Sequence, residues 1–136
     1  MHIRIVPKIS LTHAEVAAVS DRIAAPEHAH DNGACMWWDR PNMVDKYCVA
    51  YLDSDKSSEP IGVLFADGPP DNTGVAWWLD SRQRGKKLGS LMIDAYAIHL
   101  RSQGVRAIGK ILVDTYAGEF NEQSSALVRR LRSYFP

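Results

Sequence analysis

Gly74-Val75-Ala76-Trp77-Trp78-Leu79-Asp80-Ser81 runs directly into Arg82-Gln83-Arg84-Gly85-Lys86-Lys87-Leu88-Gly89-Ser90. The first part is a short apolar run rich in aromatic and β-branched residues, the character of a buried strand. The second part is a basic, glycine-bearing turn, and from Leu91 to Ser102 apolar residues recur at helical spacing. A strand that turns tightly into a helix leaves the first backbone N–H groups of that helix without intrahelical partners and with partial positive charge. Such a helix start suits a phosphate group. Arg84, Lys86 and Lys87 add formal charge at the same place, so the functional centre is expected here.

Working outward, Leu88, Leu91, Met92, Ala95 and Ile98 make one apolar helix face, which stops at Gly104. Upstream, Tyr47–Leu52, Ile61–Ala66 and Val75–Leu79 are apolar runs separated by the polar turns Asp53–Pro60 and Asp67–Asn72. That pattern predicts an antiparallel meander. His2–Ile9 alternates like a strand and is broken at Pro7. Thr12 with Glu15 forms a capping box, followed by Val16, Val19 and Ile23 at helical spacing, and Pro26 ends that helix. Glu27–Val44 has no clean period and reads as a loop with a short helix; long loops in compact domains tend to be functional. Val105–Val113 reads as a buried strand and Asp114–Phe120 as a connection. A last helix opens at Asn121 or Ser124, with Leu127, Val128 and Leu131 inside and Arg129, Arg130 and Arg132 outside. The order β-α-(α)-β-β-β-α-β-α predicts one α/β (α+β) domain over residues 1–136.

Composition bounds the function. The chain has 136 residues, 46% of them apolar and 24% charged, as expected of one ordinary globular domain. Sixteen basic residues balance sixteen acidic ones, so a protein held to nucleic acid chiefly by phosphate contacts is disfavoured. Cys35 and Cys48 provide neither a disulfide framework nor a four-cysteine metal site and are expected as small buried side chains. The start, Met1-His2-Ile3-Arg4-Ile5-Val6, does not read as a signal peptide, and no window of about 18 apolar residues exists. A cytoplasmic location is expected.

With these elements in place, the chain resembles the GNAT superfamily of acyl-CoA-dependent N-acetyltransferases. That family's acyl-CoA signature is Arg or Gln, two residues, Gly, one residue, then Gly or Ala, between the fourth strand and the third helix. Here it stands as Arg84-Gly85-Lys86-Lys87-Leu88-Gly89, with Lys87 at the first signature glycine and Gly89 at the second. The resemblance spans Met1 to about Phe135. It implies a mixed, mostly antiparallel central sheet with helices on both faces and acetyl-CoA as co-substrate, with no metal. By the same resemblance, Gly85 to Ser90, including Lys86, Lys87, Leu88 and Gly89, cradle the CoA diphosphate. Trp78 and Leu79 pair with pantetheine as the fourth and fifth strands splay, and Asn121 lies near the cofactor arm.

The chain also departs from the family. The last helix often carries a Tyr seven residues after the Asn, which protonates the departing thiolate; position 128 is Val. Tyr116, in the connection after the fifth strand, is the first candidate for that acid and Tyr134 the second. Family members usually add two strands after the fourth helix, whereas this sequence stops at Pro136. The edge of strand 105–113 is then expected to be bare and covered by a homodimer or other partner.

Candidate bases for the acceptor amine are Glu27, Asp31 and Asp71, with Asp71, just before the fourth strand, placed first. His28, His30 and Cys35 have zinc-like spacing but no evident fourth ligand. Trp37 and Trp38 either line an acceptor pocket or anchor their loop, and His99 is expected to be structural. Neither cysteine shows an activating His in the sequence, which points to direct attack rather than a covalent enzyme intermediate. The leading expectation is therefore an N-acetyltransferase acting on a small-molecule or protein amine. Its rival is a CoA-binding module without catalysis.

Overall fold

A computed structural model describes residues 2–28, 38–111 and 122–136. The described strands are β1 (His2–Pro7), β2 (Tyr47–Asp53), β3 (Ser58–Asp67), β4 (Thr73–Leu79) and β5 (Ile108–Ile111). The described helices are α1 (His13–Ile23), α2 (Leu88–Ser102) and α3 (Glu122–Ser133). They build a five-stranded sheet in the order β1-β2-β3-β4-β5. β1 to β4 pair antiparallel and β5 joins β4 in parallel, so the expected α+β class with a mostly antiparallel sheet is observed.

Local chemistry accounts for most of the elements. Both hydrogen bonds of the Thr12/Glu15 capping box are present and start α1. The strand period of two sends the adjacent tryptophans to opposite faces. Trp77 packs with Met92, Tyr96 and Leu131 of α2 and α3, and Trp78 packs in the cluster that holds Val19 of α1. Helices therefore cover both faces of the sheet. Trp38 is buried in the second cluster and donates its indole N–H to Ser20 Oγ at 2.9 Å, so it anchors its loop.

Two features pull α2 onto the sheet near the end of β4. Ala50 pairs with Gly62 and Tyr51 with Pro60, leaving Ile61 as an extra bulged residue in β3. Its carbonyl accepts the Asp80 N–H at 2.8 Å. Gly62 sits where a Cβ would lie 2.5 Å from the Trp78 carbonyl oxygen and 2.7 Å from Met92 Sδ.

β5 is shorter than its sequence suggested. Residues 105–107 lead into it, and Ala107 already accepts the Thr73 N–H at 3.1 Å. Its edge, expected to be bare, is partly capped by its own chain. Arg132 of α3 donates to the carbonyls of Ile108 and Gly109 at 3.2 and 3.0 Å. Among the described residues no helix is long and apolar enough to cross a membrane.

Gly62→Ala forces backbone or Met92 to move, and overpacking of this kind destabilises by about 1–3 kcal/mol. The urea midpoint of this variant is expected to fall accordingly, with the far-UV spectrum of the folded state retained.

Candidate functional site

The end of β4 is shaped by Asp80. Its carboxylate accepts the Arg82 N–H at 3.0 Å and its carbonyl accepts the Gln83 N–H at 2.8 Å, winding Ser81–Gln83 into one 3₁₀ turn. The chain then passes through two left-handed residues, Gly85 at φ 80° and Lys87 at φ 62°. Gly85 has open space where a Cβ would stand, so its glycine answers to the dihedral rather than to crowding. Lys87 is the N-cap of α2 and supplies no side-chain cap. The starting N–H groups of α2 thus lack the acceptor that Ser, Thr or Asp would bring at that position. Left-handed residues in such a turn are also what makes successive N–H groups converge on one anion.

A cleft of about 280 Å³ opens beside this turn, lined by Leu79, Arg84, Gly85, Lys87, Gly89 and Ser90, and by Ala126 and Leu127 of α3. Its volume is at the lower edge of small-molecule sites, about 300–1,000 Å³. Five residues expected around a diphosphate, Arg84, Gly85, Lys87, Gly89 and Ser90, therefore share one cleft with Leu79, expected at the pantetheine arm. The others are placed differently. Leu88 points into the core under α2, and Lys86 is exposed and does not line the cleft. Trp78 is buried on the α1 face with its ring edge-on to His28 at 4.9 Å. A Cβ on Gly89 would meet Leu127 at 3.4 Å, an ordinary contact distance, so α3 lies close beside this glycine. The Leu79 carbonyl accepts Arg84 Nε–H at 3.0 Å, tying the turn back to the strand. Asn121, Tyr116, Asp31, His30, Cys35 and Trp37 lie outside the described residues.

The expected catalytic carboxylate, Asp71, precedes β4 and pairs with Arg106 at 2.6 Å. The cleft is at the other end of that strand, about 20 Å away at the usual strand rise. The structure thus does not bring Asp71 to the cleft. Glu27 is held by Arg22 at 2.8 Å. Tyr134 donates its hydroxyl to Asp94 at 2.9 Å, so its proton already has an acceptor.

Behind the turn lies a polar cluster that sequence reading missed. Asp80 is 1% exposed, and Arg22 of α1 grips both its oxygens at 2.8 and 2.9 Å. His28 donates Nδ1–H to the Arg22 carbonyl at 2.6 Å. A carbonyl only accepts, so the hydrogen sits on Nδ1 in the neutral ring and Nε2 is an acceptor. Nε2 takes the Ser81 hydroxyl at 2.8 Å and the Ser81 N–H at 3.2 Å. With both ring nitrogens engaged, His28 is unsuited to the zinc ligation its spacing suggested. Burial pushes the Asp80 carboxyl up. Hydrogen bonds from Arg22 and from the backbone and side chain of Arg82 outweigh burial and hold it well below the usual carboxylate range.

At the far end of α2 the structure supplies what the sequence did not show, a histidine beside a cysteine. Cys48 Sγ and His99 Nε2 are 3.6 Å apart. Burial pushes the Cys48 thiol up to about 11 and holds His99 below its ordinary value, so both groups are neutral at physiological pH. A protonated, half-buried thiol is a poor nucleophile. Among the described residues no group of three or more His, Cys, Asp or Glu side chains is arranged to hold a metal ion. No protein-family model, curated protein or solved structure matches the chain.

Arg22→Met leaves the Asp80 charge buried beside fewer partners, a change worth about 3–5 kcal/mol of lost stability. Chemical denaturation at pH 7 checks it. The depressed Asp80 pKa sets the sign of the acid response. Its contribution is complete above the unfolded value of about 4 and is lost as pH falls through the lower folded value. The denaturation midpoint of the native chain is expected to drop below that pH, and Asp80→Asn to be less stable at pH 7 and flatter toward acid.

Proposed function

We propose that the protein is a GNAT-type N-acetyltransferase that moves an acetyl group from acetyl-CoA to an amine, on a small molecule or a protein. The observation that carries this reading is the start of α2. It is entered through left-handed Lys87, lacks a side-chain cap, and opens on a cleft walled by Arg84, Gly85 and Lys87. Residues of this chemistry fit a diphosphate: N–H groups converge on it and basic side chains neutralise it. Among the described residues β5 pairs with the start of β4, at Thr73 and Val75. The backbone of Trp78 and Leu79 is the proposed seat of the pantetheine arm.

When bound, acetyl-CoA supplies a thioester carbonyl for the acceptor amine to attack. A β4 backbone N–H polarises the carbonyl oxygen. A lysine-like amine, with a pKa near about 10.4, must first lose a proton. Asp71 is not retained as the base, because its position and its ion pair set it apart from the cleft. Tyr116 is retained as the proposed acid for the thiolate. Direct transfer agrees with Cys48, whose thiol is neutral and lines a different cleft.

One observation favours the rival reading, a CoA-binding module without chemistry. Val128, where the family often has its acid Tyr, packs against the core under α3.

Calorimetry of the full chain with CoA is expected to show binding, weakened at least tenfold by Lys87→Glu or by Gly89→Trp, which fills the cleft. No heat with the native chain sinks the reading. Thiol release from acetyl-CoA across a panel of amines then separates enzyme from module. Tyr116→Phe is expected to lower turnover by about 10²-fold, with the KM for acetyl-CoA unchanged.

A further inference from the structure

The anion-binding turn carries strain that something must hold. Lys87 is a non-glycine residue in the left-handed region, a conformation that persists only where its surroundings over-determine it. From the sheet side the hold is visible. Asp80 N–H bonds to the Ile61 carbonyl at 2.8 Å, and Gln83 Nε2 donates to Glu59 at 3.3 Å. From the other side the hold comes from α1 and the 3₁₀ turn after it. Arg22 grips the Asp80 carboxylate with two hydrogen bonds, and the same Arg22 offers its carbonyl to His28. His28 in turn accepts both the hydroxyl and the N–H of Ser81. Arg22, Asp80, Ser81 and His28 thus close a ring, made of hydrogen bonds and the Asp80–Ser81 peptide bond. The His28 side chain in that ring is 0% exposed.

We propose that Arg22 and His28 are positioning residues for the turn between β4 and α2: acting through Asp80 and Ser81, they fix the direction in which the N–H groups of residues 85–90 face the cleft. This rests on the reading of that cleft as a diphosphate site. Neither residue lines the cleft, so neither touches the ligand. Their contribution is preorganisation. Donors already aimed at the anion lose little freedom when it binds, whereas a loosened turn must be ordered at that moment.

His28 gives the cleaner experiment, because replacing it removes hydrogen bonds without stranding a charge. His28→Gln keeps an amide oxygen for Ser81 and an N–H for the Arg22 carbonyl; His28→Leu keeps neither. Two measurements on the full chain decide the matter, with circular dichroism confirming that each variant is folded. The first is amide hydrogen exchange without ligand. Exchange at residues 82–90 is expected to speed at least tenfold in His28→Leu, to stay near native in His28→Gln, and to be unchanged in β1 and β2. The second is calorimetry with CoA. Its Kd is expected to rise about tenfold in His28→Leu and less than threefold in His28→Gln.

Native exchange at 82–90 in His28→Leu overturns the proposal whatever CoA does. Faster exchange spread evenly over the sheet also overturns it, since His28 is then only a general stabiliser. The local exchange effect in His28→Leu, together with no heat from the native chain and CoA, overturns the diphosphate reading and leaves the positioning role standing. Should His28→Leu fail to fold, Ser81→Ala, which removes one bond of the ring, is read in the same two ways.

Discussion

A single buried carboxylate organises this protein. Asp80 stands where β4 ends, where the sheet meets α1, and where the chain turns toward α2. An unpaired charge at such a site is far too costly to keep. The fold must bring donors to it, and it brings them from two directions: the two nitrogens of Arg22 from α1, and the backbone and side chain of Arg82 from the turn. Satisfying Asp80 therefore fixes the position of α1 and the path of the turn together. A neutral residue there would leave both freer.

The other side of the sheet meets the same point by packing. Gly62 lets the β4 backbone and Met92 approach β3 closely, and the Ile61 bulge turns a carbonyl toward Asp80. α2 begins at Leu88, whose side chain is buried in the α2 core. It does so because left-handed Lys87 ends the turn one residue earlier, and Leu127 of α3 lies beside Gly89. The cleft is the space left when these demands are met at once. The turn lines it with Arg84, Gly85, Lys87 and Ser90, and α3 with Ala126 and Leu127.

What was legible in the sequence was local. The capping box of α1, the three apolar runs of the meander and the alternating tryptophans are written in residues a few positions apart, and the structure follows them. Gly85 marked a turn but not its left-handed backbone, and left-handed Lys87 was not legible at all, because nothing about lysine signals that conformation. The strand predicted at 105–113 ran too far at its start, since apolar character does not tell a lead-in segment from a paired one. Long-range polar contacts left no trace. Arg22 and Asp80 are 58 residues apart, His28 and Ser81 53, and Cys48 and His99 51. No period or spacing marks such pairs. The capped edge of β5 is of the same kind: Arg132 read as an outward-facing helix residue, and it is one, yet its guanidinium reaches back to two carbonyls.

For the proposed acyl transfer, the two ends of α2 weigh differently on direct attack and on a thiol intermediate. At the N-terminal end, N–H groups, basic side chains and a cleft coincide, all favouring negative charge. Near the C-terminal end sit Cys48 and His99, about 15 Å along the helix from Gly89. Burial there disfavours both thiolate and imidazolium, and the helix end itself presents carbonyls, which oppose a developing anion. Under the proposed function, a thioester anchored by its diphosphate at the first end would have its reacting carbon set by the length of the pantetheine arm and the direction of β4, not by the cysteine. The fold gathers a helix start, basic side chains and a cleft at one end of α2 and keeps its thiol protonated at the other.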